Sequence, residues 1–86
     1  QLLAVADEYC AFHGCHVRSF AALAASSAVP GARLHGVPVF DSVEAAAAAL
    51  AETIRALQPL SGAGTSSAAN AGFADVAAEV YRRWAE

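Results

Sequence analysis

The apolar positions of this chain fall into four stripes of helical period, separated by short polar or turn-forming stretches. Over residues 2–13, LLAVADEYCAFH, the residues Leu2, Ala6, Tyr9, Cys10 and His13 share one stripe, and Gly14 stands where a helix C-terminus favours a left-handed residue. Val17 starts a second segment with Ser19 as its candidate N-cap. There Phe20, Leu23 and Ala24 give a short helical face that ends before Pro30. Residues 30–40, PGARLHGVPVF, hold two prolines, two glycines and the β-branched Val37 and Val39, and read as a loop or a short extended, β-like arm. His35 lies in that arm, where a solvated loop histidine is the plain expectation.

The third stripe is the clearest. Asp41 is a candidate cap and Glu44 follows three residues on, a capping-box pattern. Val43, Ala46, Ala47, Leu50, Ile54 and Leu57 then lie on one face until Pro59 ends the element. Burying Leu50, Ile54 and Leu57 stabilises by roughly 1.5–3 kcal/mol each before entropy is counted. The last helix runs from about Ser66 to Ala85, with Phe73, Val76, Ala77, Val80 and Trp84 on its core stripe and Gly72 as a weak point. Glu79 can pair with Arg82 or Arg83 on its wet side. The expected fold is therefore all-α: one small four-helix domain over residues 1–86, with a single extended arm and no internal repeat.

Composition narrows the function classes. Apolar residues make up 57% of the chain, too many for a disordered segment, but 24 of the 86 residues are alanine and bury little area each. Such a core needs close helix packing or a partner. The net charge is −3 and five arginines, with no lysine, carry all the positive charge. That speaks against nucleic acid and anionic membrane surfaces, which need a basic face. No apolar run approaches the ~20 residues of a membrane span, and nothing reads as a signal peptide. The chain begins at Gln1 and contains no methionine, so it reads as a fragment or trimmed product, and as cytoplasmic.

Three clusters carry candidate chemistry. Gly62, Ala63, Gly64, Thr65 and Ser66 make a small-residue loop at a helix start, the shape of a phosphate or nucleotide cradle for a ligand such as ATP. One glycine-rich loop is a weak signal, and a plain helix–helix connection is the favoured reading. Cys10, His13, Cys15 and His16 bring four borderline or soft ligands within seven residues, a second alternative as a small zinc module. Their spacing matches no usual zinc site, and a buried free cysteine is ordinary, so no metal is expected there. A Cys10–Cys15 disulfide is not expected in a cytoplasmic chain either. Phe73, Val80, Tyr81 and Trp84 form an aromatic stripe that reads first as core. In a domain this small, however, it is also the candidate face for a protein partner or a second copy. Asp7 and Glu8 are adjacent and point to different helix faces, and the serine pairs Ser26–Ser27 and Ser66–Ser67 have no visible base.

Taken in order, these segments resemble the Fic/Doc (death-on-curing type) family of toxin-type transferases. LLAVADEY matches its first helix, HVRSFAALAASSAVP its V-R-D…L-L-E-S-A-L…P segment, LHGVPVF its G…Y-P flap region and AAAAALAETIRAL the A-A-L-L helix before the active site. The resemblance covers most of the chain, which ends soon after the motif helix and so reads as truncated relative to the family. The family signature is H, P or similar, F, any residue, D or N, G or A, N, K or G, R. In this chain that register reads Gln58, Pro59, Leu60, Ser61, Gly62, Ala63, Gly64, Thr65, Ser66. Pro59, the apolar Leu60 and the small Ala63 agree. The residues that do chemistry do not.

The resemblance implies a histidine base where Gln58 stands, a metal- or phosphate-holding Asp or Asn at Gly62, and cationic side chains at Thr65 and Ser66. Phosphoryl and nucleotidyl transfer rest on positioning and charge stabilisation, so losing base, ligand and cations together leaves no catalytic residue. The expectation is a pseudoenzyme acting by protein–protein interaction in a toxin–antitoxin-type module. The alternative is a nucleotide-binding protein, or a weak nucleotidyl- or phosphotransferase, using loop 62–66.

Overall fold

The computed structural model describes residues 2–62 and 66–85. Along the chain run α1 (Leu2–His13), β1 (Cys15–Val17), α2 (Phe20–Ala28), β2 (Arg33–Leu34), β3 (Val37–Pro38), α3 (Val43–Leu57), β4 (Leu60–Gly62) and α4 (Ser66–Ala85). The four helices fall where the periodicity puts them. The all-α expectation, however, is overturned: the described residues also form two antiparallel two-stranded sheets, so the fold is mixed α/β.

One sheet is the expected β-like arm. Strands β2 and β3 pair Arg33 with Pro38 and Leu34 with Val37, and the turn residues His35 and Gly36 both have positive φ. Two successive left-handed residues are what a tight two-residue hairpin turn requires. The other sheet lies in what reads as bare connections. Strand β1 pairs with β4 in the register Cys15 with Gly62, His16 with Ser61 and Val17 with Leu60. These segments are three residues each and far apart in sequence, too short for any alternation to show.

The caps explain the helix boundaries. Gly14, at φ +71°, donates its N–H to the Cys10 carbonyl at 2.8 Å and turns the chain out of α1 into β1. The Ser19 hydroxyl accepts from Ala22 N at 3.0 Å, as expected of an N-cap. At α3 the cap is Ser42, not Asp41: its hydroxyl accepts from Ala45 N at 3.0 Å, which shifts the frame by one and leaves Glu44 as a first-turn acid rather than a capping-box partner. Ser42→Ala should therefore lower stability by about 0.5–2 kcal/mol while Asp41→Ala leaves it nearly unchanged, a contrast that thermal melts read directly.

The α3 terminus is closed by a residue from elsewhere in the chain. Gln58 takes the left-handed conformation ahead of Pro59 and donates to the Ile54 carbonyl at 2.9 Å. The Arg18 guanidinium then donates to the carbonyls of Leu57 and Gln58 at 3.0 and 2.9 Å. Those carbonyls have no intrahelical donor, and a cation there also complements the helix dipole. Pro59 O in turn accepts from Arg18 N and Ser19 N at 2.7 and 3.1 Å. One short corner thus locks the start of α2 onto the end of α3.

The core lies mainly between α3 and α4. Ala46, Ala47, Leu50, Ala51 and Ile54 face Phe73, Ala74, Ala77 and Ala78, with Ala6, Cys10, Leu23 and Leu60 closing the rest. Small residues on both faces let the two axes approach, so contact area comes from proximity rather than side-chain size. Leu57 and Val43, expected inside, are partly exposed, as are Val76 and Val80. In α2 the buried pair is Leu23 and Ser26; Phe20 and Ala24 face out. Exposed ion pairs Arg55–Asp75 (2.7 Å) and Arg82–Glu44 (3.0 Å) bridge α3 and α4, each worth at most about 1 kcal/mol.

Candidate functional site

A cavity of about 620 Å³ forms an open apolar groove between α1, the end of α2 and α4. Leu2 and Val5 form one wall, Pro30 closes one end, and Val80, Tyr81 and Trp84 form the opposite wall over a floor that includes Leu50. Trp84 is 75% exposed, an unusual state for the largest apolar side chain in the protein. Glu8 is the charged residue of the lining and makes no ion pair among the described residues. Three of the four residues of the expected partner face therefore line one groove. The fourth does not: Phe73 is fully buried, its ring 5.7 Å from that of Tyr9, and belongs to the core.

The expected phosphate loop begins at the end of β4. Gly62 is the last residue of β4; Ala63, Gly64 and Thr65 lie outside the described residues, as does the Ser66 side chain. What is described is how the loop's entry is held. The buried Asn70, one turn into α4, accepts from Leu60 N through Oδ1 at 2.9 Å and donates from Nδ2 to Leu60 O at 2.9 Å. It completes β4 on the edge away from β1, acting as a one-residue strand. Gly62 is needed for a different reason: a Cβ there would sit 2.7 Å from the Cβ of Cys15 across the sheet. A Cβ at Gly72 would meet the Tyr9 hydroxyl, the far end of a half-buried side chain, which would have to shift.

The sequence reading missed Asn70 and Arg18. Asn70 was detectable as the polar residue three positions before Phe73, on the side of the helix that turns inward, where a buried amide implies partners. Arg18 gave no such signal, because its partners are backbone carbonyls forty residues away.

Of the Cys/His cluster, the fold brings together the two cysteines. The Cys15 thiol donates to the Cys10 sulfur at 3.2 Å. His13 stacks on Tyr9 with ring centroids 4.2 Å apart and meets Phe12 edge-on at 5.1 Å, while His16 is exposed on β1. No group of three or more His, Cys, Asp or Glu placed to hold a metal occurs among the described residues. Burial, and then the hydrogen bond and charge of Cys15, push the Cys10 thiol up to about 12. Burial also raises the Tyr9 phenol, with Cys15, Cys10 and Asp75 adding to it. On the opposite surface, the hydrogen bond from Arg83 holds Glu79 below the usual carboxylate range, as the expected pairing on the wet side of α4.

No family model, no curated protein and no solved structure matches this chain. Among the described residues no helix is long and apolar enough to cross a membrane.

Proposed function

We propose that this chain is a catalytically inactive Fic/Doc-like domain that works in the cytoplasm by binding a protein partner through the groove around Trp84. The observation that carries the binding is Trp84 itself, three-quarters exposed at the mouth of an apolar groove it shares with Tyr81 and Val80. Exposed aromatics beside a preformed pocket are the usual anchors of protein interfaces. The groove's apolar walls with Glu8 among them favour a segment that presents an apolar stripe and one basic residue, and the net charge of −3 favours a basic partner generally. Inactivity is supported by the register Gln58–Ser66, which offers no base, no carboxylate and no cation. The Gln58 carbonyl there is occupied by Arg18, which serves the fold. Placement in a toxin–antitoxin-type module rests on the sequence resemblance and is an analogy.

Trp84 is the sole tryptophan, so its fluorescence reports occupancy of the groove. A photo-cross-linking residue at position 4, in the groove lining on α1, identifies what binds. With that protein purified, Trp84→Ala should weaken binding about 30-fold, the scale of a hot-spot aromatic. Unchanged affinity sinks the groove reading. A cross-link to a second copy, with Trp84 emission shifting as the chain is concentrated, makes the occupant this chain itself. Calorimetric titration with ATP and Mg²⁺ should give no saturable heat; saturable binding would replace inactivity by nucleotide recognition at loop 62–66.

A further inference from the structure

We infer that Cys10 and Cys15 are a redox pair that closes reversibly into a disulfide, stapling the end of α1 to β1 and holding the sheet that carries the entry to loop 62–66. This stands apart from the partner groove, which lies across α1 from it. The geometry is prepared on three sides. Gly14, at φ +71° and bonded to the Cys10 carbonyl, folds the chain so that the sulfurs meet at 3.2 Å, a direct contact from which closing to the roughly 2.05 Å of a disulfide brings them about one further ångström together. Gly62 leaves the space that Cys15 occupies: with any larger residue there, the Cys15 Cβ would have to move. The exposures also differ. Cys15 is half-buried and can meet an oxidant, while Cys10 is buried behind it and meets only Cys15.

The oxidant class is a peroxide. The Cys15 thiolate attacks one peroxide oxygen; an S–O bond forms, the O–O bond breaks, and the hydroxide released leaves as water with the proton that Cys15 gave up. The Cys10 thiol, which burial keeps protonated, then attacks the Cys15 sulfur and gives up its proton in the same step. The S–S bond forms, the S–O bond breaks, and the departing hydroxide takes the Cys10 proton as a second water. Two thiols and one peroxide thus give one disulfide and two waters. A small dithiol restores both thiols through a mixed disulfide on the exposed Cys15 side. Reversible pairs of this kind are the form that cysteine bridges take in reducing compartments.

The test uses the whole reduced chain and one equivalent of hydrogen peroxide. The expected product is monomeric, lighter by two hydrogen atoms, has no titratable thiol, and gives a Cys10–Cys15 cross-linked peptide that dithiothreitol reverses. Amide exchange at residues 15–17 and 60–62 should slow at least about threefold on oxidation, as a closed staple suppresses local opening. Cys10→Ser should trap Cys15 as a sulfenic acid that dimedone captures. Should that variant misfold, the wild-type mass and peptide map decide alone. Retained thiols, a disulfide-linked dimer, over-oxidation without closure, or closure only in denaturant would each overturn the pair; unchanged exchange in the closed form would overturn the staple.

Discussion

Asn70→Ala should lower the unfolding free energy by about 2–5 kcal/mol, a large share of what a domain this size holds. Its amide satisfies both backbone groups of Leu60 at 2.9 Å, and Leu60 and Asn70 are both buried. Truncation leaves a donor and an acceptor unpaired where no strand supplies replacements, each costing about 1–3 kcal/mol. Asn70→Asp separates this account from simple cavity formation, because it keeps the volume. The carboxylate still accepts from Leu60 N but faces Leu60 O with no donor, so Asn70→Asp should also be destabilised at neutral pH. Protonation restores a donor. Burial beside a carbonyl raises the carboxyl's folded pKa above its unfolded one. The stabilising contribution is then present at low pH and lost as pH rises through the folded value. Denaturant melts should show the gap to wild type narrowing as pH falls. A loss under about 1 kcal/mol for Asn70→Ala would mean that water takes the amide's place and the clamp holds little.

How much of this was legible in the sequence depends on which force sets each feature. Helix positions were, because a 3.6-residue period over ten or more residues survives without tertiary context. Gly14 and Ser19 were, because their roles are local. The β1–β4 sheet was not: three-residue strands carry no pattern, and Gly62 reads as a loop glycine until Cys15 is seen opposite it. Asp41 and Ser42 are equally good caps by residue type, and only the backbone decides between them. The cysteine contact needed the turn at Gly14, visible as a residue but not as a geometry.

The face of α4 was misread for a physical reason that bears on the site. The expected stripe ran through Phe73, Val76, Ala77, Val80 and Trp84; Phe73 and Ala77 are buried as expected, but Val76, Val80 and Trp84 are exposed and Asn70, Ala74 and Ala78 are buried in their place. Both sets have helical period. Burial chose the alanines because α3 presents alanines in return, and two small-residue faces pack at the closest approach. Apart from Phe73, the bulky residues of α4 therefore lie outside the seam. For this chain that turns Val80, Tyr81 and Trp84 out toward the groove.

Paired truncations on α4 should separate core from face by more than any other two changes in the chain. Phe73→Ala removes a fully buried ring that packs on Tyr9 within the cluster formed by α1, α3 and α4, and should cost about 3–5 kcal/mol. Six of the other eleven buried residues of that cluster are alanine, with short side chains that cannot swing into a void, which favours the upper part of that range. Trp84→Ala removes a larger side chain but one already 75% in water, and should change stability by less than about 1 kcal/mol. The free protein's fluorescence should be that of a water-exposed indole, since its one tryptophan is this residue. Equilibrium melts of both variants at several protein concentrations decide the matter. A Trp84→Ala loss that matches Phe73→Ala and grows with concentration would mean that the groove is filled by a second copy and that folding and association are one process. A small, concentration-independent loss leaves Trp84 with burial still to gain, and that unspent apolar area is what a partner segment would cover.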